Sequence, residues 1–459
     1  MTREITAQNR DTPAKAASVL ALFMLVFLTG IAAGMFGWYP QPFLESGLEG
    51  AHSFFNAESE VLRPQVYERT GTRALEPDQM ASGLTALTGL WDHDGDGDLE
   101  GGVRLVNASG TTLHMWPIDR TQFRDGIFLF DIAARMRALH GTHVFENGDV
   151  LVNLEYKGSA LFDSCGHLKW RLPEESHHAV ERAPDGTFWI PGASAQLRTT
   201  TSGYPNGLPG LSDQEFRVDW LMRVDREGEV QQRIPVLDVL AQNDLLKYIG
   251  KQHGVVRNAG ELYGDLTHLN DIEPLPSSMA DAYPQFESGD LLLSLRNINL
   301  VLVVDPDTKE VKWHRTEPLS RQHDPDWLGN GWIGVFDNNP DFTKRGTAGG
   351  GSRIVLMHPD SGTVWQRYPA AATQHFYTET RGKWQLLANG NMLLTEAEAG
   401  RAFEVTADGE LVWEWIQEPH GEGRIPLLTG AKRLQLSPET VANWSCATAH
   451  ASGTLQLSS

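Results

Sequence analysis

Ser320–Gly346 reads SRQHDPDWLGNGWIGVFDNNPDFTKRG. His323 stands seven residues before Asn330, which opens an Asn-Gly pair. Asn-Gly accepts the left-handed backbone of a tight hairpin turn. An apolar run, Trp332 to Phe336, follows, and a polar loop then ends at Arg345. The pattern predicts a strand with polar residues delivered at both ends, beside a turn-rich loop.

The pattern recurs along the chain. A short apolar strand, a turn carrying Asp, Asn or Gly, and a second strand are found six times: LVNASGTTLHMW (105–116), LFDSCGHLKW (161–170), RVDREGEVQQRI (223–234), VVDPDTKEVKW (303–313), LMHPDSGTVW (356–365) and VTADGELVWEW (405–415). All but the third carry Trp at or near the end. Upstream of most copies lies a partner hairpin, at 143–154, 178–190, 287–295, 329–336 and 385–395. Two hairpins make a four-stranded unit of about 45–60 residues, the signature of a propeller blade. Six copies predict an all-β, six-bladed β-propeller over residues 80–415. The first unit is the least clear, and the segment 416–459 is a candidate to close it. Two insertions break the pattern. Residues 194–218 are rich in Ser, Thr, Gly and Pro, and Pro235–Tyr248 has the apolar spacing of one short amphipathic helix.

The chain has 459 residues, 41% of them hydrophobic, and a net charge of −21. That acidity argues against a nucleic-acid partner, which needs a basic face. There are two cysteines, Cys165 and Cys446, too few for a four-thiolate zinc site. They are either one disulfide or two free thiols. Val19 to Trp38 is a run of 20 residues without a charge, preceded by Arg3, Arg10 and Lys15. About 20 apolar residues span a bilayer, and the basic flank belongs on the cytoplasmic side. The run exceeds the apolar core of a signal peptide. The expected organisation is a cytoplasmic tail (1–18), an uncleaved membrane anchor (19–38), a connector (39–79), the propeller outside the cytoplasm (80–415) and a C-terminal segment (416–459).

His140 and His178 stand seven residues before their turns, as His323 does. His268 lies in DLTHLND, before a longer insertion. In the sixth unit the matching position is Gly382, with His375 seven residues further back. If these strands are innermost, the pseudo-symmetry of a propeller aims the histidines at one axial pocket. Converging polar groups in a concavity are the usual mark of a functional site. Arg296 and Arg345 could each offer a guanidinium to an oxyanion. No metal site or cofactor is expected. His177 and His178 are adjacent, and neighbouring residues on a strand face opposite ways. The acidic run Asp92–Glu100 begins like a calcium loop but has Val103 where the twelfth-position carboxylate should be.

These motifs resemble the bacterial aryl sulfate sulfotransferases. The resemblance runs over residues 80–415 and is carried by DLTHLND with the following SLRN, and by QHDPDWLGNGWIGVFDNN with Arg345. It implies a six-bladed propeller that moves a sulfuryl group from an aryl sulfate donor to a phenolic acceptor through a sulfurylated histidine. It also implies catalytic roles for His268, His323 and Arg345, with Asn270 of the His-x-Asn motif in the substrate pocket. The nucleophile of that family lies late in the chain, where His375 is the candidate. Two other readings compete: a propeller used as a binding or scaffold module, and a quinoprotein-like dehydrogenase. Against the dehydrogenase stand six copies of the repeat rather than eight and the lack of a vicinal cysteine pair.

Overall fold

The computed structural model describes residues 24–30, 61–123, 138–172, 174–194, 196–211, 214–251, 264–371, 374–421 and 423–446. The chain divides at Glu58/Ser59 into two units. In the first, residues 24–30 are helical and exposed. Most of the expected anchor lies outside the described residues, and among those described no helix is long and apolar enough to cross a membrane.

The second unit is a propeller of six antiparallel sheets. Blade 1 contains Leu84–Trp91, Glu100–Val106 and Thr112–Pro117; its innermost strand, Leu428–Leu434, comes from the far end of the chain. In the other blades strand order follows the sequence. The innermost strands are Leu139–Val144, Glu181–Arg182, Leu269–Pro274, His323–Gly329 and Lys383–Leu386, for blades 2 to 6. His323 therefore starts the inner strand of blade 5. Inner strands of successive blades contact one another around the axis. The second and third strands of each blade are buried on both faces, so they read as apolar runs, such as Leu291–Leu295 and Leu300–Val304.

In three copies the Trp of the repeat joins one blade to the next. Trp116 of blade 1 donates its indole N–H to the Gly148 carbonyl in blade 2 (2.9 Å). Trp170 of blade 2 does the same to Arg226 in blade 3 (2.8 Å), and Trp413 of blade 6 to Ala108 in blade 1 (3.0 Å). Each ring fills the inter-blade core while its one polar atom finds a carbonyl. The facing turn needs glycine: a Cβ on Gly228 would lie 2.7 Å from the Trp170 ring, and the φ there is +86°.

Ring closure is threefold. Leu428–Leu434 completes blade 1, Cys165 in blade 2 is disulfide-bonded to Cys446, and Trp444 packs on Trp116 and donates to the Glu146 carbonyl (2.9 Å). The described part of the connector is not featureless. Leu62–Pro64 pairs with Arg424–Pro426, and Gly71–Ala74 adds a fifth strand to blade 6. Strands of three and four residues are too short to show a period. The expected helix is present as Val236–Gln242, followed by a 3-10 segment, Leu246–Lys251. It buries Val236, Leu237, Val239 and Leu240, and its Asp238 accepts from the Thr201 hydroxyl and the Gly203 amide, which ties down the 194–218 insertion.

Candidate active site

Five histidines converge at one end of the axial channel. His140 opens the inner strand of blade 2. His177 and His178 precede that of blade 3, and His268 that of blade 4. His323 opens the inner strand of blade 5. Ring centroids are 4.6 Å apart for His140 and His178, 4.9 Å for His178 and His268, and 5.0 Å for His177 and His178. His178 and His268 have φ of +60° and +51°. This left-handed backbone is uncommon outside glycine, though histidine tolerates it better than most residues. At His178 it defeats strand alternation: both neighbouring rings meet, with Nδ1 to Nδ1 at 2.8 Å. The expectation that His177 and His178 face opposite ways is corrected by that φ.

The second strand of each blade supplies the groups that orient the rings. Antiparallel register sets the residue just past this strand beside the start of the inner one. Glu155 follows Val150–Leu154, and its Oε2 is 2.9 Å from His140 Nε2 and 3.5 Å from Arg381. Arg296 follows Leu291–Leu295, and its amide donates to the His268 carbonyl (3.1 Å). Asn338 follows Trp332–Asp337, and its Oδ1 is 2.6 Å from His323 Nδ1. The Asn338 amide nitrogen donates to the carbonyls of Thr378 and Arg381. That fixes its oxygen towards the imidazole, so His323 Nδ1 carries the proton. His268 Nδ1 likewise faces Asp265 Oδ2 at 2.5 Å. In both rings Nε2 is buried and without a partner among the described residues.

Burial and nearby positive charge keep His178, His268 and His323 neutral near pH 7. Burial, then the Arg296 charge, lowers His268 to about 4. The same two causes push His323 well down, and burial followed by His140 does so for His178. Burial and then Arg321 lower Arg296 to about 10, so it stays cationic. Its one described side-chain hydrogen bond is to Asn297, at 3.5 Å, and its Nε has none. Burial alone would raise Asp265, but His268 and Arg217 more than reverse this and hold it below the usual carboxylate range.

Further along the axis a cavity of about 250 Å³ is lined by Thr142, Glu181, Glu273, Asp324, Asp326, Lys383 and Lys432, with His140 at its border. Lys383 bridges Asp324 (2.5 Å) and Asp271 (3.5 Å). Asn270 donates to the Gln322 carbonyl (2.8 Å), tying blade 4 to blade 5 beside His323.

Of the residues singled out from the sequence, His140, His178, His268, His323 and Arg296 come together. Arg345 and His375 do not join them. Arg345 is exposed on the loop after Asp337, where its amide donates to the Thr343 hydroxyl. His375 is exposed too, beneath the same loop, where a Cβ on Gly351 would lie 2.8 Å from its Nε2. Blade 6 has no ring in the histidine slot because Gly382 has φ +97° and a Cβ there would lie 2.5 Å from Phe336. Arg381 enters beside it. Glu155, Asp265, Asn338 and Arg381 were missed in the sequence, and His177 was set aside on strand alternation. Counting hairpin register across the first turn would have flagged Glu155 and Asn338.

A family model described as arylsulfotransferase (ASST) matches residues 141–418, more than half of the chain. The chain belongs to the arylsulfotransferase family. The match takes in His177, His178, His268, His323, Arg296 and Arg381, and begins one residue after His140. No curated protein matches this chain. Among solved structures it is similar to a protein of unknown function from Bacteroides caccae (12% identity, 77% of this chain and 100% of that one, TM-score 0.48). It is also similar to a catalytically inactive virginiamycin B lyase from Staphylococcus aureus with quinupristin (11%, 61% and 71%, 0.33) and to Kuenenia stuttgartiensis hydrazine synthase (10%, 67% and 71%, 0.37).

Groups able to hold a cation occur at three places among the described residues. They are His140, Glu155 and His178 in the pocket; Asp92, Asp94 and Asp96 on an exposed turn; and Asp163, Cys165 and His167, where the cysteine is already in the disulfide.

Proposed function

We propose that this member of the arylsulfotransferase family moves a sulfuryl group from an aryl sulfate to a phenol at the axial histidine cluster, with His268 as the nucleophile. One observation carries the reading: two imidazoles, each pinned through Nδ1, hold bare Nε2 atoms beside a cationic Arg296 that lacks a carboxylate partner among the described residues. A buried, unpaired guanidinium suits a sulfate oxyanion. Transfer needs an in-line nucleophile and charge stabilisation on the equatorial oxygens.

In the first half, His268 Nε2 bonds sulfur, and the bond between sulfur and the donor's aryl oxygen breaks, releasing phenolate. Asp265 on Nδ1 offsets the positive charge the ring acquires. In the second half, the acceptor hydroxyl gives its proton to His323 Nε2 while its oxygen bonds sulfur and the nitrogen–sulfur bond breaks. His323 then passes that proton to the next leaving phenolate. A neutral imidazole can both attack and leave, and burial supplies that state here.

The test uses 4-nitrophenyl sulfate with and without phenol. Acceptor-dependent nitrophenolate release is expected, together with one sulfuryl group on the peptide containing His268 after donor alone. Both should vanish in His268→Asn, a change that asparagine's tolerance of positive φ makes mild for the backbone. Transfer that persists in this variant, or a label on another residue, rejects the assignment.

The apolar run Val19–Trp38 with its basic flank supports a membrane anchor, and a disulfide supports an oxidising compartment for the propeller. Protease digestion of intact cells should remove the propeller only after the outer barrier is opened. Protection after that step as well would place it in the cytoplasm.

A further inference from the structure

We propose that His140, Glu155 and His178 form a binding site for one first-row divalent cation of the zinc type, at the edge of the axial pocket. The ligand atoms of the three residues all lie within 4.8 Å of one another. His140 Nε2 and Glu155 Oε2 are 2.9 Å apart in a close buried ion-pair contact, and Arg381 lies 3.5 Å from the same carboxylate oxygen. A buried imidazole nitrogen and a carboxylate oxygen this close favour a cation between them, either a proton or a metal ion that displaces it. His178 brings the third ligand. Its Nδ1 is taken up by His177, which leaves Nε2 for a metal.

The backbone builds this convergence. A Cβ on Gly141 would lie 2.4 Å from the His178 carbonyl oxygen, so only glycine lets blades 2 and 3 approach this closely. The φ of +60° at His178 then turns its ring towards His140. The ligands also have outer support, His177 on His178 and Arg381 on Glu155. Such partners orient ligands in metal sites generally.

Two imidazoles and one carboxylate suit Zn²⁺, Co²⁺ and neighbouring ions, not the oxygen-seeking Ca²⁺ or Mg²⁺. Three protein ligands leave a coordination position open. The His268 ring is 4.9 Å from His178, so that position borders the site of the proposed transfer. If that reaction is right, the ion would bind the acceptor's phenolic oxygen and ease its deprotonation. Metal binding itself does not depend on that reading.

The experiment titrates Co²⁺ into metal-free full-length protein and follows visible d–d absorption, with the metal content confirmed by elemental analysis. One equivalent with an imidazole-containing spectrum is expected. Glu155→Gln and His178→Asn should weaken binding by more than the 10–100-fold typical of losing an outer-shell partner. Their circular dichroism melts serve to confirm folding. A variant with Asp92, Asp94 and Asp96 all changed to Asn should bind as wild type does. Absence of stoichiometric binding, or binding unchanged in Glu155→Gln, overturns the site. Protein that binds one ion but transfers no sulfuryl group refutes the reaction alone. Protein that transfers but never binds refutes the site alone.

Discussion

Breaking the disulfide tests how the propeller ring is held shut. Cys165 and Cys446 are 281 residues apart, so their bond encloses most of the blades. In the chain-entropy description a loop of that length removes about 5–6 kcal/mol of denatured-state entropy at 25 °C. Measured losses on removing native disulfides are about 2–5 kcal/mol, since unfolded chains keep some structure. The lower figure should be favoured here. A non-covalent clasp should remain after reduction: Leu428–Leu434 pairs within blade 1, and Trp444 donates to the Glu146 carbonyl. Cys446→Ser should therefore fold but unfold at a lower urea midpoint, by about 2–5 kcal/mol with the slope taken into account. Wild type in reductant should match the variant, and reductant should not affect the variant further. Midpoints that agree in all four conditions would refute the argument. So would a loss well above 6 kcal/mol, because chain entropy cannot supply it.

Three further outcomes follow from particular contacts. Gly382→Ala forces a Cβ to 2.5 Å from Phe336 at a φ of +97°; a loss of about 1–3 kcal/mol in thermal or urea unfolding is expected, and a neutral result would mean the inner strand of blade 6 is not held where described. Glu404 is buried and joins Arg433 of the closing strand (3.0 Å) to Asn391 and the Ala81 amide; Glu404→Ala should cost about 3–5 kcal/mol by leaving a buried charge unpaired, and a loss under about 1 kcal/mol would show water reaching Arg433. Burial, reinforced by Asp324, raises Asp271 to about 8 against the pull of Lys383. The folded protein thus holds a proton that an unfolded chain releases near pH ~4, so stability should fall as pH rises from about 4 to about 8. Asp271→Asn should remove that slope and exceed wild type in stability above pH ~8, and parallel profiles for the two proteins would contradict it.

Much of the fold was legible because a propeller repeats its local chemistry. Turn residues recur at fixed offsets, and Trp116, Trp170 and Trp413 share one duty at their blade junctions. The two short N-terminal strands were illegible since they hold three and four residues and pair with partners more than 300 positions away. The site divides in the same way. His140, His178 and His323 were visible from spacing alone. Arg345 and His375 were drawn in by motif and by chain position, neither of which reports where a loop runs.

What the sequence determined by itself was the number of blades, their build from paired hairpins and the spacing that sets histidines in register, because hairpin periodicity is local and the propeller's symmetry carries equivalent positions to one axis. Only the tertiary structure decided which strand closes blade 1, that Cys165 meets Cys446, and which groups reach the pocket. Those outcomes depend on contacts between distant segments and on single backbone angles. The positive φ of His178 and of Gly382 is the clearest instance: one turns a ring into the pocket and the other keeps a ring out, and nothing in residue spacing announces either.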